Sequence, residues 1–309
     1  MGFSKYIFKK ILFFIITLFL IITITFILMK LIPGDPFSDD NYISSEAMDS
    51  LRSRYGLDQP FYIQYFKYLK GIIVCDLGSS LKYDGITVNE IIKKNFPISA
   101  ILGLFALPLS IICGIALGSI AAFFRNKWQD RLSMVIALLG MSVPSFIMAT
   151  FLQYTFALKL QILPIARWGT FSHIILPVIA LSFFPSAFIA RLTRANIVEV
   201  LEQDYILAAK SKGLSNFQIW KNHVLKNSLL PIVSYLGSLI TNILIGSFVI
   251  EKIFGIPGLG CWLVNSIANR DYTIIMGLTI FYSLLFMSII FFIDILYFLL
   301  DPRIKRQSI

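Results

Sequence analysis

Long apolar runs without a single charge constrain this sequence more than any other feature. Residues 98–124 form 27 consecutive positions with no Asp, Glu, Lys or Arg. As a helix that rises ~1.5 Å per residue, this run is about 40 Å long, more than the ~30 Å hydrocarbon core of a bilayer. Similar runs recur along the chain and are separated by polar stretches. The sequence therefore predicts an all-α membrane protein.

We predict six transmembrane helices, with both chain termini in the cytoplasm. The first run lacks the short apolar core and the cleavage site of a signal peptide, so we expect it to be retained. Fifteen lysines and arginines fall in segments that this arrangement puts inside, against four in the short outer segments. That asymmetry follows the positive-inside rule. The predicted spans are residues 11–29, 98–124, 132–158, 174–190, 228–250 and 273–293.

The spans divide the chain into three predicted parts. Residues 1–31 are the N-terminal tail and first span, 32–97 are an extracytoplasmic segment, and 98–309 are a five-span core. We expect a short amphipathic helix at 61–69 in the extracytoplasmic segment. Pro144 interrupts the third span and predicts a kink, since a proline within a span frees a backbone carbonyl.

Composition argues against several classes of function. Only 14% of residues are charged, whereas soluble domains have roughly 25%. The net charge of +10 is better explained by membrane topology than by nucleic-acid binding. Three cysteines without a CxxC spacing and two scattered histidines predict neither a disulfide framework nor a metal site. Asp294 is the one ionisable candidate inside a span, and we expect it to form a structural pair.

No catalytic constellation is found in the sequence. There is no GxxxxGK[ST] phosphate loop, so the chain itself is not expected to hydrolyse ATP. HExxH and Ser/His/Asp arrangements are also missing from the sequence. The spans are almost free of ionisable residues, which argues against a proton-driven carrier. We therefore expect no catalytic residues and no cofactor.

The cytoplasmic loop 191–227, between the fourth and fifth spans, is the longest polar interruption in the second half. Helical composition at 205–212 is followed by Gly213, where a left-handed closing residue is expected. Ser215 and Gln218 then have the spacing of a capping box at the start of a second, short helix.

Apolar residues on the second helix suggest a docking surface. Leu214 and Ile219 are spaced for a hydrophobic staple. Phe217, Trp220 and Val224 form one apolar stripe. The stripe could pack on the protein's own core, but nearby cations favour an exposed docking face. The cations are Lys210, Lys212, Lys221 and Lys226, and His223 lies among them.

The loop resembles the EAA loop of the permeases of ABC importers. Ala208 and Ala209 precede Gly213 by the family spacing, and nine residues separate the glycine from His223. The continuation to Pro231 resembles the dipeptide/oligopeptide/nickel branch, and within it the B-type oligopeptide permease subunit. Leu207 stands where the acidic residue that names the loop is found.

Further motifs of that branch occur in the correct order. Cys75 stands where the branch more often has glycine. The resemblance extends from residue 33 to residue 303. The motifs are PGDP at 33–36, RYGLDQP at 54–60, DLGSS at 76–80, FGIPGLG at 254–260, DILY at 294–297 and DPR at 301–303.

The resemblance implies a function and a set of partners. It implies a permease subunit of an inner-membrane importer of oligopeptides or dipeptides, with nickel import as the alternative. Outside the family, a secondary carrier, a channel or a membrane enzyme are the alternatives. The implied partners are a second, homologous permease subunit, two cytoplasmic ATPases that bind ATP, an extracytoplasmic binding protein, peptide and membrane lipid. The implied ATPase-coupling residues are Ala208, Ala209, Gly213, Leu214, Ser215, Phe217, Gln218 and Trp220.

Overall fold

The structure is a computed structural model, and it describes residues 3–32, 50, 52–53, 55–228, 230–244 and 248–300. The motifs at 33–36 and 301–303, and Arg54 of the motif at 54–60, lie outside the described residues. Within some helices only the backbone is described, so the side chain of Phe217 also lies outside.

The elements of the described residues are helical, which confirms the all-α class. An isolated bridge between Ser79 and Thr87 is the extended pairing found there. Two segments, Gln153–Lys159 and Trp220–Val224, are π-helical. The α-helices are α1 (Phe3–Leu31), α2 (Phe61–Ile73), α3 (Val88–Phe123), α4 (Trp128–Ser142), α5 (Ser145–Leu152), α6 (Ser172–Leu201), α7 (Asp204–Ser211), α8 (Asn216–Ile219), α9 (Leu225–Ser228), α10 (Leu230–Leu244), α11 (Phe248–Ile253), α12 (Leu259–Ala268) and α13 (Tyr272–Leu300).

Four described helices are long and apolar enough to cross a membrane. They correspond to Ile7–Leu31, Val88–Phe123, Ser172–Leu201 and Tyr272–Ile295. A fifth crossing results if α4 and the helix that follows it are one broken span. The predicted span at 228–250 is described only in part, because residues 229 and 245–247 lie outside the described residues. A multi-span membrane protein is therefore confirmed, while the sixth span stays a prediction.

Two helices are longer than predicted. The helix α3 begins at Val88, ten residues before the predicted start, and α6 ends at Leu201, eleven residues beyond the predicted end. Packing supports the extension of α6, since Thr193 and Ile197 are buried one turn apart. The predicted loop 191–227 thus begins inside helix α6, and its position relative to the membrane stays a prediction.

The third predicted span is broken rather than kinked. The axes of α4 and of the helix from Ser145 to Lys159 differ by 105°. Val143, directly before Pro144, has φ −85° and ψ 119°, an extended conformation. A proline excludes the helical conformation at the residue before it, so the break falls where the sequence demands it.

Contacts divide the chain into two compact units, residues 1–97 with 258–309, and residues 98–257. In the second unit, α6 is the central helix, and α4, α5, α10 and α11 all pack against it. Small residues allow α3 to approach it closely. A Cβ on Gly114 would lie 2.6 Å from the Ile189 side chain, and one on Gly118 would lie 2.4 Å from the Ala190 carbonyl oxygen. Such contacts are typical of membrane helix pairs.

In the first unit, α1 packs along α13. Lys10 Nζ lies 2.5 Å from Asp294 Oδ2, so the expected structural pairing of Asp294 is present. Asp271 caps the start of α13. Its Oδ1 accepts a hydrogen bond from the Ile274 N–H (3.2 Å), and its Oδ2 accepts one from the Ser80 hydroxyl (2.5 Å). The buried Asp271 therefore ties the loop after α2 to the last helix.

The predicted helix at 61–69 is confirmed as α2, and its C-terminal end explains an unusual residue. Cys75 has φ +59°, in the left-handed region that glycine favours. The Cys75 N–H donates to the Ile72 carbonyl (3.0 Å), and the Asp76 N–H donates to the Gly71 carbonyl (2.9 Å). This is a Schellman motif, and a cysteine occupies its glycine position.

Candidate coupling site

The predicted site lies in residues 204–228, which we call the coupling segment. Helix α7 begins three residues after α6 ends, and a reverse turn leads from it into α8. From α8 the chain stays helical through the π-helical Trp220–Val224 into α9. The sequence predicted this order of helix, turn and helix, and the structure confirms it. The second helix is longer than expected, since it continues to Ser228.

Gly213 makes the turn between the two helices. Its φ is +79°, as its place after the helix predicted. The Gly213 N–H donates to the Lys210 carbonyl (2.9 Å), and the Leu214 N–H donates to the Ala209 carbonyl (3.3 Å). These two bonds complete a Schellman motif. A Cβ at Gly213 would have nothing within 4 Å, so only the backbone conformation requires glycine here.

The capping box that the sequence predicted is present at the start of α8. The Gln218 N–H donates to Ser215 Oγ (3.3 Å), and the Ser215 N–H donates to Gln218 Oε1 (2.9 Å). Each side chain thus satisfies a backbone N–H at a helix start that would otherwise have no partner in the helix. The turn at Gly213 is therefore closed on both sides, by the Schellman motif before it and by the capping box after it.

One side of the coupling segment is buried against two long helices. A cluster of buried side chains joins α7 and α8 to Ile197 of α6 and to Ala122 of α3. Leu214 and Trp220 pack partly buried against it, and the Trp220 ring lies 5.9 Å from the Phe123 ring. The members contributed by the coupling segment are Ile206, Ala209, Ile219 and Val224.

The predicted exposed stripe on the second helix was wrong for one of its residues. Val224 is fully buried, and Trp220 is partly buried on the same cluster. The side chain of Phe217 lies outside the described residues. Helical spacing showed that these residues share a face, but it could not show which way the face points. Trp220 and Val224 face inward because the ends of α3 and α6 cover them.

The exposed side of the segment is formed by α7 and the turn. Leu207, at the position of the family's acidic residue, exposes 59% of its surface, and Tyr205 exposes 41%. Leu207 was noted from the sequence only as a departure from the family motif, and neither residue was among the predicted coupling residues. The signal was available, since Ile206 and Ala209 at a spacing of three mark the buried side of α7. The exposed residues that complete this face are Ala208, Lys210, Ser211, Lys212, Gly213, Ser215 and Gln218.

An ion pair joins the first turn of α4 to α6. Arg194 donates to both carboxylate oxygens of Asp130, from Nε at 2.6 Å and from Nη2 at 2.8 Å. The same carboxylate accepts a bond from the Asn126 N–H at 2.9 Å. Asp130 is buried, and its two-pronged pairing fixes direction as well as distance. Sequence reasoning treated Arg194 only as a charge in the loop.

A cavity lies at the break between α4 and α5. It measures about 420 Å³, and no charged residue lines it among the residues that the structure describes. Ser142, Ser145 and Tyr235 provide hydroxyl groups on a mostly apolar wall. Irregular backbone at membrane depth is tolerated where it lines a cavity or is buried in protein. The break between α4 and α5 lines this cavity.

Comparison with known proteins decides the family. Residues 114–306 match the family described as "Binding-protein-dependent transport system inner membrane component". Residues 3–101 match its N-terminal counterpart, "Binding-prot-dependent transport system membrane comp, N-term". The chain belongs to this family. It is 47% identical over 305 residues to the dipeptide transport system permease protein DppB of Bacillus subtilis (strain 168), covering 99% of each chain.

A more distant relative matches in length, and a solved structure is similar in fold. The oligopeptide transport system permease protein OppB of Haemophilus influenzae is 40% identical over 303 residues, which cover 97% of this chain and 99% of that one. Among solved structures, the inward-facing MetNI methionine ABC transporter matches with a TM-score of 0.58 and 16% identity. That match covers 69% of this chain and 97% of the other, and it supports the fold alone.

Proposed function

We propose that this chain is a transmembrane permease subunit of an ATP-driven importer of dipeptides or oligopeptides. The observation that carries the proposal is the full-length match to a dipeptide permease, at 47% identity over 99% of both chains. A relative named as an oligopeptide permease matches over nearly the same length. Because the similarity spans both chains almost completely, it includes the membrane helices as well as the coupling segment.

We infer that other subunits supply the energy and the first substrate contact. The proposed complex contains a second, homologous permease, two cytoplasmic ATPases and an extracytoplasmic binding protein. The ATPases bind and hydrolyse ATP, and this chain contributes no catalytic residue. In the proposed topology six helices cross the inner membrane, both termini are cytoplasmic, and residues 204–228 are in the cytoplasm.

The geometry supports a mechanical role for the coupling segment. Closure of the ATPase pair would press on the exposed face around Leu207 and Ser211. Ile206 and Ala209 lie on the opposite side of the same short helix, against Ile197. A displacement of α7 therefore moves the end of α6, the central helix of its unit. The permease would alternate between two conformations, one with the ATPase pair open and one with it closed. These conformations differ in their contacts with the ATPases, and that difference shifts the equilibrium between them.

The cavity beside Pro144 suits the proposed cargo. An uncharged lining with scattered hydroxyls can bind the peptide backbone and tolerates varied side chains. We therefore place the cavity on the peptide path. Ser145→Trp should block uptake and leave ATP hydrolysis in place, because it fills the cavity far from the ATPases. Leu138→Trp, on an exposed position of α4, is the matched control and should transport normally. Equal uptake by both variants would remove the cavity from the path.

The proposed function is tested with the complete complex in proteoliposomes. Labelled dipeptide and oligopeptide are presented with the binding protein outside and ATP inside. We expect uptake that requires ATP and stops when the ATPases are inactivated. Uptake that continues without ATP would indicate a carrier or channel, and uptake of nickel in place of peptide would indicate the other substrate of the branch. Either result would contradict the proposal.

A further inference from the structure

Helix α2 carries an apolar face that the chain itself does not cover. The structure describes all of α2, and within it no residue is buried. Two aromatic side chains point outward from it. Tyr62 exposes 61% of its surface and Phe66 66%. Ile73 and Val74 continue this exposed apolar surface at the end of the helix.

The other side of α2 is fastened to the last third of α1. The Phe26 ring lies 5.2 Å from the Phe61 ring and 5.6 Å from the Tyr68 ring. One turn earlier on α1, the Thr23 hydroxyl lies 2.7 Å from the Tyr65 hydroxyl. Near its end, Lys30 Nζ donates to Gln64 Oε1 at 2.5 Å. Residues 23, 26 and 30 therefore form one face of α1, and α2 lies along it.

These contacts set the depth of α2. Thr23 and Lys30 are seven residues apart, which is about 10 Å along a helix. Only 11% of the most apolar stretch of α1 is buried within the chain, so α1 itself presents a lipid-facing surface. A helix fastened to its last ~10 Å reaches the boundary between headgroups and acyl chains, where interfacial helices bury their apolar face by about 5–10 Å.

The composition of α2 matches that position. Its sequence, FYIQYFKYLKGII, contains two lysines and no acidic residue. Lys67 and Lys70 are exposed one turn apart, beside Phe66. Tyrosines and tryptophans are enriched at membrane interfaces, and long lysine side chains reach from apolar surroundings to the headgroups. Tyr62 and the two lysines thus favour a lipid surface over water on the exposed side of α2.

A cavity of about 270 Å³ lies between α1, α2 and the start of α13. Lys30, Lys67 and Asp76 line it, which leaves one net positive charge. Asp76 is also engaged in its own turn, since its Oδ1 accepts a bond from the Gly78 N–H at 3.0 Å. The Tyr68 hydroxyl is buried and has no hydrogen-bond partner among the described residues. Burial raises the pKa of Tyr68, so this hydroxyl stays protonated and can donate.

We propose that α2 lies in the membrane interface and that the cavity beside it binds the phosphodiester headgroup of an anionic phospholipid. Lys67 and Tyr68 donate to the phosphate, and the exposed aromatic face of α2 packs on the acyl chains. The occupant is lipid rather than a soluble anion because apolar residues of α1, Phe26 and Met29, share the wall of the cavity. In the proposed topology this is the outer leaflet.

The depth of α2 is tested by spin labels on the assembled complex in nanodiscs. Cysteines are introduced singly as Phe66→Cys and, for comparison, as Asp84→Cys, in a chain whose three native cysteines are replaced. Asp84 lies in an exposed turn of the same unit. We expect the label at 66 to collide more with oxygen than with a water-soluble nickel complex, and the label at 84 to show the reverse. A water-like profile at 66, or protection from both agents by a partner protein, would overturn the proposal.

The headgroup site is tested by native mass spectrometry of the complex from nanodiscs of phosphatidylglycerol and phosphatidylcholine. Lys67→Gln should lower the retained phosphatidylglycerol about fivefold, the factor that one basic residue contributes near an anionic surface. Tyr68→Phe should lower it without changing the charge. Lys93→Gln, an exposed lysine outside the cavity, is the control. Unchanged retention in the first two variants, or displacement of the lipid by excess inorganic phosphate, would refute a phospholipid site.

Discussion

Gly213→Val is the most informative perturbation of the coupling segment. Gly213 has φ +79°, and a Cβ there would meet nothing within 4 Å. The cost of valine is therefore backbone strain alone, about 1–2 kcal/mol for an L-residue in the left-handed region, and more for a β-branched one. One to two kcal/mol changes the ratio of the closed to the opened turn by a factor of about 5–30. The link between α7 and α8 should therefore loosen.

The assay compares ATP hydrolysis and peptide uptake in proteoliposomes that contain the complete complex. We expect the peptide transported per ATP hydrolysed to fall about tenfold, because an opened turn no longer transmits motion of α7 into α8. Gly85→Val is the control for strain, since Gly85 has φ +75° and equally open surroundings, but lies outside the coupling segment. Gly169→Val is the control for size, since Gly169 has open surroundings and lacks the left-handed φ. Wild-type coupling by the Gly213 variant, or equal loss in all three variants, would refute the reasoning.

Three smaller predictions concern stability. Cys75→Gly should raise the free energy of unfolding by about 0.5–1 kcal/mol, because glycine adopts the left-handed φ of this position without strain. The gain should appear as a higher Tm of the purified complex, and an unchanged or lower Tm would count against this. Asp130→Asn should lower the free energy of unfolding by about 1.5–3 kcal/mol, since Arg194 loses a charged partner. A double-mutant cycle with Arg194→Met should show the interaction energy between the two side chains. Ser215→Ala should weaken the cap of α8 by about 1 kcal/mol and speed amide exchange there, whereas Ser215→Thr should not.

The sequence was sufficient where local chemistry decides the structure. The glycine after α7 and the Ser215–Gln218 spacing each specify a short-range pattern of hydrogen bonds, and both were found as predicted. The identity of the family could also be predicted, because it rests on motifs in order along the chain. The break at Pro144 was located correctly, but its 105° bend was not predicted, since packing on both sides of a proline sets the angle.

Long-range packing accounts for the errors. Spacing placed Trp220 and Val224 on one face, but only the ends of α3 and α6 determine that this face is buried. The same contacts leave Leu207 exposed, although it was not among the predicted coupling residues. The extension of α6 beyond the predicted span was not foreseen, since the sequence analysis treated the arginines at 191 and 194 only as loop charges. Arg194 instead continues the helix and pairs with Asp130, a partner 64 residues away.

The central claim is that the exposed face of α7 contacts a separate ATPase on the cytoplasmic side. The direct test is cross-linking from a single cysteine at Ser211, an exposed residue of α7, in membranes that contain the full complex. Gly169→Cys, in a loop predicted to lie outside, is the control. The account predicts a cross-link to the ATPase from position 211 only, and labelling by an external impermeant maleimide at position 169 only. External labelling at 211, or an ATPase cross-link from 169 instead, would contradict it.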